Sequence, residues 1–354
     1  MTPLKQSLLR RIAQTGPLTV AEYMTECLLH PQHGYYTTQT ALGAEGDFIT
    51  APEISQMFGE VIGLWLAQVW LDQGAPNPFI LAELGPGRGT LMADILRATA
   101  RVPDFHDALQ LHLVEVSPVL KEAQIKALHT HAITHHASLA DLPEAPLFLV
   151  ANEFFDALPI RQFQRSGKGW RERLIGAKDD MLQWGLGPQS NMPVLDHRLS
   201  DTEDGQIVEL NTAAEAIAQD IGRRIAQSGG AALCVDYGDD LSRANSFQAV
   251  KAHDHTDPLQ DPGQADLTAH VAFDPLAKSA RPARASALTP QGVFLERLGI
   301  TQRAQSLAAH LSGDALDMHI AAHKRLTHPE EMGTLFKVLA LTPATAPLPP
   351  ALDA

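Results

Sequence analysis

The sequence predicts an α/β fold: a doubly wound, mainly parallel sheet with an N-terminal helical extension and an inserted β-rich flap. Three observations predict it. From Phe79 onward, short apolar runs alternate with helical patterns. A glycine-dense turn joins the first run to the first helix. The alternation then breaks between 160 and 210 into short segments separated by Gly and Asp turns.

Taken in order, residues 1–75 read as mainly helical, with an irregular stretch from Pro31 to Pro52. Leu64, Leu66, Ala67, Val69 and Trp70 make a strongly apolar helix expected in the core. The main domain spans 76–343. Its strands are expected at 79–84, 111–116, 147–151 and 231–237, and its helices at 91–99, 119–128 and 213–227. Within 160–210, Gln162-Phe163-Gln164, Trp170 to Ile175 and Met181 to Trp184 read as antiparallel strands of a flap over the ligand edge of the sheet. Residues 239–290 are rich in His, Asp and Pro and read as a long ordered loop with short helices. The 344–354 tail, rich in Pro and Ala, reads as flexible.

The chain has 354 residues, enough for a well-filled core. It carries 41 acidic against 27 basic side chains, a net charge of -14. That balance argues against nonspecific nucleic-acid or anionic-membrane binding and suits a cationic substrate. The two cysteines, Cys27 and Cys234, have no disulfide or zinc spacing, and Cys234 sits in an apolar run. This fits a reducing compartment. Lys5, Arg10 and Arg11 hint at a transit peptide, but Leu8, Leu9 and Ile12 fit a plain amphipathic helix, with Glu22 and Glu26 close behind. The expectation is a cytoplasmic protein. The most apolar helix, 61–71, is too short to span a bilayer, so no membrane insertion is expected.

The most informative stretch is Glu83-Leu84-Gly85-Pro86-Gly87-Arg88-Gly89-Thr90. A dinucleotide fingerprint needs a third glycine at position 90, where Thr90 stands. The pattern is E-x-G-x-G-x-G, with Glu83 two places before the first glycine. This is the cofactor loop of enzymes that use S-adenosyl-L-methionine. Gly85, Gly87 and Gly89 would let backbone lie against the methionine part of that cofactor. Ligands of open parallel sheets bind beyond the carboxyl ends of the strands, so three further strand ends matter. Glu115 could accept both ribose hydroxyls. Beside these strand ends, Ser138 and Leu139 are expected to lie in an adenine-side loop, His136-Ala137-Ser138-Leu139. Asn152-Glu153-Phe154-Phe155-Asp156 crowds polar and aromatic groups at one strand end. Methyl transfer needs an acceptor lone pair held in line with the methyl group. A protonated guanidinium is a poor nucleophile until carboxylates orient it, which makes Glu153 and Asp156, with Asn152, the catalytic candidates. Asp236, ending the 231–237 strand, is either structural or substrate-facing. His129, His131, His135, His136, His253, His255 and His270 lack partners at metal-ligand spacing, and no metal site is read.

These residues carry a resemblance. From about Tyr23 to Thr342 the chain resembles the MidA-type methyltransferases, which include the mitochondrial complex I assembly factor acting on an arginine of a core subunit. The carrying segments are His33-Gly34-Tyr35-Tyr36, the block from Gly46 to Glu60, the glycine loop, Val114-Glu115-Val116-Ser117-Pro118, Asn152 to Pro159, Val235-Asp236-Tyr237-Gly238, Asp266 to Val271, and Met332 to Leu339. The resemblance implies a Rossmann-like class I methyltransferase fold and symmetric dimethylation of a protein arginine. It also implies that Gly46, Asp47, Phe48 and Thr50 fold over the cofactor. Read from the residues, Asp47 could grip an ammonium group, while Thr50 or Ser55 could cap a helix that has Pro52 and Glu53 in its first turn. Ala272 stands where the family pattern leads one to expect an acid, and 274–286 is unlike the family core. A small-molecule O- or N-methyltransferase and a cofactor-binding assembly chaperone without turnover remain alternatives. The oligomeric state is open, a homodimer being the candidate.

Overall fold

The computed structural model describes residues 2–38 and 50–354. The chain opens with α1 (Pro3–Thr15), capped by the Thr2 hydroxyl on the Lys5 amide, and a short strand β1 (Leu18–Thr19). Helix α2 (Val20–Leu29) starts with a reciprocal Thr19/Glu22 capping box. Then come α3 (Tyr35–Thr38), α4 (Ala51–Ile54) and α5 (Gln56–Asp72). Helix α5 is buried on most sides, but Leu64 is 52% exposed. Its place in the expected core is therefore corrected: a helix lying against a sheet keeps one outer stripe however apolar its sequence.

The central sheet holds β2 (Phe79–Leu84), β3 (Leu109–Val114), β4 (Ile133–His136), β5 (Leu147–Asn152), β10 (Gly230–Asp239) and β17 (Phe336–Thr342), with the short β14 (Val271–Ala272), β15 (Arg284–Ala285) and β16 (Thr289–Pro290) at its margins. The path runs β15-β17-β10-β5-β2-β3-β4. Pairing is parallel from β4 through β10, and β17 runs antiparallel to β10. Its connecting helices are α6 (Thr90–Thr99), α7 (Phe105–Ala108), α8 (Pro118–Ala127), α9 (Thr212–Ser228) and α10 (Phe273–Ser279). All six residues of β2 and of β5 are buried, as strands covered on both faces require. One face packs on Trp65, Trp70, Phe105 and Phe294, the other on Ile221, Ile225, Phe273 and Leu276. Helices α11 (Gln291–Arg297), α12 (Ile300–Ala308) and α13 (Asp314–Thr327) close the α5 side.

The segment between β5 and α9 forms β6 (Arg161–Ser166), β7 (Gly169–Lys178), β8 (Met181–Ser190) and β9 (Ile207–Leu210), an antiparallel sheet whose fifth strand is β1. The polar stretch after β10 contains a second small sheet, β11 (Gln248–Lys251), β12 (Asp254–Thr256) and β13 (Asp266–Thr268). The loop reading is corrected here: Ala249, Val250 and Leu267 are buried, and their His- and Asp-rich neighbours mask the strand pattern. The tail also differs from the flexible segment expected. Leu352 is buried, the Trp65 Nε1–H donates to the Pro350 carbonyl at 3.0 Å, and Arg297 meets Asp353 at 2.9 Å. Among the described residues no helix is long and apolar enough to cross a membrane.

Candidate functional site

The strand order reverses between β2 and β5: the chain builds outward to β3 and β4, then returns to the far side of β2. The loops leaving β2 and β5 therefore diverge, which opens a crevice at their carboxyl ends. A cavity of about 350 Å³ occupies that crevice. Its wall includes Thr50, Glu83, Gly85, Gly87, Glu115, Ser138, Leu139, Asn152 and Glu153. Gly89 and Asp156 do not line it. Gly46, Asp47 and Phe48 lie outside the described residues.

The glycine loop has φ of +60° at Gly85, +53° at Gly87 and +85° at Gly89, left-handed backbone that only glycine adopts freely. At Gly85 space also forbids a side chain, since a Cβ would stand 2.9 Å from Phe154 Cδ2. Gly89, though off the wall, is the N-cap of α6. The turn thus presents bare backbone to the cavity. Beneath it Glu83 is buried, with Oε2 lacking any partner among the described residues. Burial, with the Glu115 charge adding to it, pushes the Glu83 carboxyl up to about 8.

Glu115 follows the end of β3. Its Oε1 accepts the Val116 and Ser117 amides, each at 2.8 Å, and its Oε2 accepts Gln124 Nε2–H at 3.2 Å. Burial raises its pKa against those donors. A second lone pair on Oε2 remains, the kind of acceptor a ligand hydroxyl requires. Ser138 accepts the Ala140 amide at 3.2 Å and caps a short 3-10 turn, and Leu139 behind it is buried. Thr50 precedes α4 without making a side-chain cap bond, while Ser55 caps α5.

Asn152 ends β5 and turns its Nδ2–H to Glu153 Oε1 at 3.1 Å, leaving its own Oδ1 buried without a partner among the described residues. Glu153 has φ +50°, a costly conformation for a non-glycine residue and common at functional sites. Its Oε1 also accepts the Ala51 amide at 3.0 Å, and burial lifts its pKa to about 7. Asp156 is separated from Glu153. It sits behind the wall beside Tyr237, and its Oδ1 and the Tyr237 hydroxyl are buried without a well-aligned hydrogen bond among the described residues. Burial lifts Asp156 to about 6. A turn can aim only some of its side chains into a crevice, and here Phe154 and Ala157 take the positions on the wall that Asp156 does not.

Asp236, whose role the sequence leaves open, holds this turn together. Its Oδ2 accepts the Phe154, Phe155 and Asp156 amides at 3.2, 3.0 and 3.2 Å, and its Oδ1 accepts the Tyr237 amide at 2.9 Å. It is fully buried. Burial and the neighbouring Asp156 and Glu153 charges push its pKa up, opposed by the amides. Several of the histidines also have definite partners. His112 Nδ1 lies 2.8 Å from His136 Nε2, His135 Nε2 lies 2.8 Å from Gln124, and His106 meets Thr99 at 3.0 Å. Sequence reasoning missed the α2 contribution to the wall, Thr25, Leu28 and Leu29, because nothing marks three positions of an ordinary helix as ligand-facing. It also missed Thr90, whose hydroxyl donates to Glu53 Oε1 at 2.6 Å.

Glu83 Oε2 and Asn152 Oδ1 are buried acceptors without a partner among the described residues. A nucleoside joined to a cationic amino acid supplies hydroxyls to Glu115 and ammonium N–H groups to such acceptors, so S-adenosyl-L-methionine fits the residues present. Fold and site together define a Rossmann-like, S-adenosylmethionine-dependent methyltransferase. The chain belongs to that enzyme family: residues 61–291 match the family model Methyltransf_28, described as an S-adenosyl-L-methionine-dependent methyltransferase. It is similar to the mitochondrial protein arginine methyltransferase NDUFAF7 of Homo sapiens, 36% identical over 97% of this chain and 84% of that one. It is 37% identical to the Drosophila melanogaster homologue over 96% of this chain and 85% of that one. A crystal structure from Burkholderia thailandensis with bound S-adenosyl-homocysteine superposes with a TM-score of 0.85 at 28% identity, covering 98% of this chain and 94% of that one. These curated relatives are named as mitochondrial, and that overturns the expectation of a cytoplasmic protein.

Proposed function

We propose that this enzyme methylates an arginine of a protein, placing one methyl on each terminal nitrogen, and that the protein is a core subunit of respiratory complex I whose assembly the modification supports. The observation that carries the reading is Glu153: strained, pinned through Oε1 by Ala51 and Asn152, and set on the cavity wall where the strand order reverses. Oε2 accepts no hydrogen bond among the described residues and is available to a guanidinium N–H. The names of the relatives, protein arginine methyltransferases, support the acceptor. The cofactor supplies an electrophilic methyl on a sulfonium. An ionised Glu153 orients the guanidinium and draws its charge away from the attacking nitrogen. As the N–CH₃ bond forms and the S–CH₃ bond breaks, the nitrogen loses one proton, and a carboxylate near pKa 7 can take it. The test is incubation of the enzyme with tritiated cofactor and complex I core subunits, followed by mass spectrometry. We expect one symmetrically dimethylated arginine, and a loss of at least about a hundredfold in turnover for Glu153→Gln with cofactor affinity kept. Label on a small molecule alone would favour the other acceptor class. Absence of label with cofactor bound would favour a chaperone without turnover.

A further inference from the structure

The geometry points to Gln124 as the positioning residue that locks the two halves of the cofactor site into one unit, with His135 fixing its orientation. Gln124 lies in α8, outside the cavity wall, and is fully buried. Its Nε2 donates to the Gly87 carbonyl at 2.7 Å and to Glu115 Oε2 at 3.2 Å. The first partner belongs to the loop facing the methionine half of the ligand. The second is the acid placed to face the ribose. No other side chain among the described residues hydrogen-bonds both.

Chemistry decides which way the amide points. A carbonyl and a carboxylate oxygen can only accept, and only the NH₂ end of a glutamine can serve both. Oε1 must therefore face the remaining neighbour, His135 Nε2, at 2.8 Å. That nitrogen must carry a proton, so His135 acts as donor. With all three contacts made, both amide protons of Gln124 are used and its carbonyl is satisfied. Reversal would set the carbonyl against two acceptors in a buried site. Backbone packing reinforces the junction: a Cβ at Gly89 would meet Gln124 Cα at 3.4 Å, so α8 lies directly under the glycine loop. A cofactor spanning both halves gains affinity only if their spacing is set beforehand, and Gln124 sets it.

The test measures S-adenosylhomocysteine binding by calorimetry on the full chain. Gln124→Met keeps the volume and removes both donors. The expected result is affinity weaker by about tenfold or more, since one lost contact is to a charged group. KM for the methyl donor should rise with kcat and the acceptor KM unchanged, a split that mere loss of stability does not produce. Binding within about twofold of the parent would overturn the proposal. Should Gln124→Met not fold, His135→Phe tests the same junction by stranding the Gln124 carbonyl. A loss of about threefold to tenfold is expected, and unchanged affinity overturns it. Where both variants fold, the His135→Phe change should cost nothing further in the Gln124→Met background. Additive losses would refute the relay from His135 through Gln124.

Discussion

Glu83 couples stability to protonation. Its carboxyl is held at about 8 by burial first and the Glu115 charge second, against an ordinary 4.5. A buried acid with a raised pKa binds its proton more tightly folded than unfolded. Across the window between those two values the folded state therefore holds more protons, and stability falls as pH rises. Glu153, at about 7, and Asp156, at about 6, act with the same sign over lower windows. Above pH of about 7 Glu83 is the main contributor of the three. The melting temperature of the ligand-free protein should fall steadily from pH about 5 to 8.5, and Glu83→Gln should flatten the upper part of that slope. A slope in Glu83→Gln equal to the parent's above pH of about 7 would sink the assignment. How much of this was legible differs by residue. Glu83, Gly85 and Gly87 are marked by their spacing, and Glu115 by its place just past a strand. Glu153 and Asp156 looked equivalent in sequence, because adjacent turn residues carry no signal of direction. The four amides around Asp236 come from two distant segments, so no local pattern announces them.

Among the elements, the α5–α6 crossing transmits packing to the cofactor loop. A Cβ on Gly63 would lie 2.9 Å from Ile95 Cα and 3.0 Å from its carbonyl oxygen, both backbone atoms that cannot swing aside. Gly59 makes the same close approach, 2.5 Å to Asp94 Cβ. Gly89 is the N-cap of helix α6, so any separation of the two helices pulls on the last residue of the glycine loop. Gly63→Ala should destabilise by about 1–3 kcal/mol by overpacking, despite the better helix propensity of alanine. It should also weaken S-adenosylhomocysteine binding. Leu64→Ala, one residue away on the exposed stripe, should change neither, and equal effects from both would remove the crossing from the argument. Strands β2, β3, β5 and β10 and helices α6, α8 and α9 were readable to within two residues or so, because long apolar runs and 3.6-residue periods are strong signals, whereas the short edge strand β4 was not among the expected strands. The β11–β13 sheet was not, because its buried faces are a few residues wide.

For the whole molecule, the decisive feature is a third core that unites segments far apart in sequence. Leu4, Leu8, Val20, Tyr23 and Met24 from the N-terminal helices pack with Ile175 and Leu182 of the flap and with Phe247, Ala249, Leu259 and Leu267 of the polar insertion. Strand β1 is stitched into the flap sheet at Leu18 and Thr19. The Tyr23 hydroxyl donates to the Pro258 carbonyl at 2.5 Å, and Tyr36 donates to Asp266 Oδ1 at 2.8 Å. The sequence separated these three pieces, since each reads as a different texture, and only tertiary packing joins them. The united cap faces the cofactor crevice through Thr25, Leu28 and Leu29 of α2, while the glycine loop faces it from the sheet. A ligand filling the crevice then touches both bodies and must stabilise both. At a concentration about a hundredfold above its Kd, S-adenosylhomocysteine should add about 2.7 kcal/mol to global stability, seen as a rise in melting temperature. Hydrogen exchange should slow in 20–29 of the cap as well as in 85–90 of the sheet edge, because opening either one now requires releasing the ligand. If protection rises only around 85–90, α2 is a bystander and the cap is not part of the cofactor site.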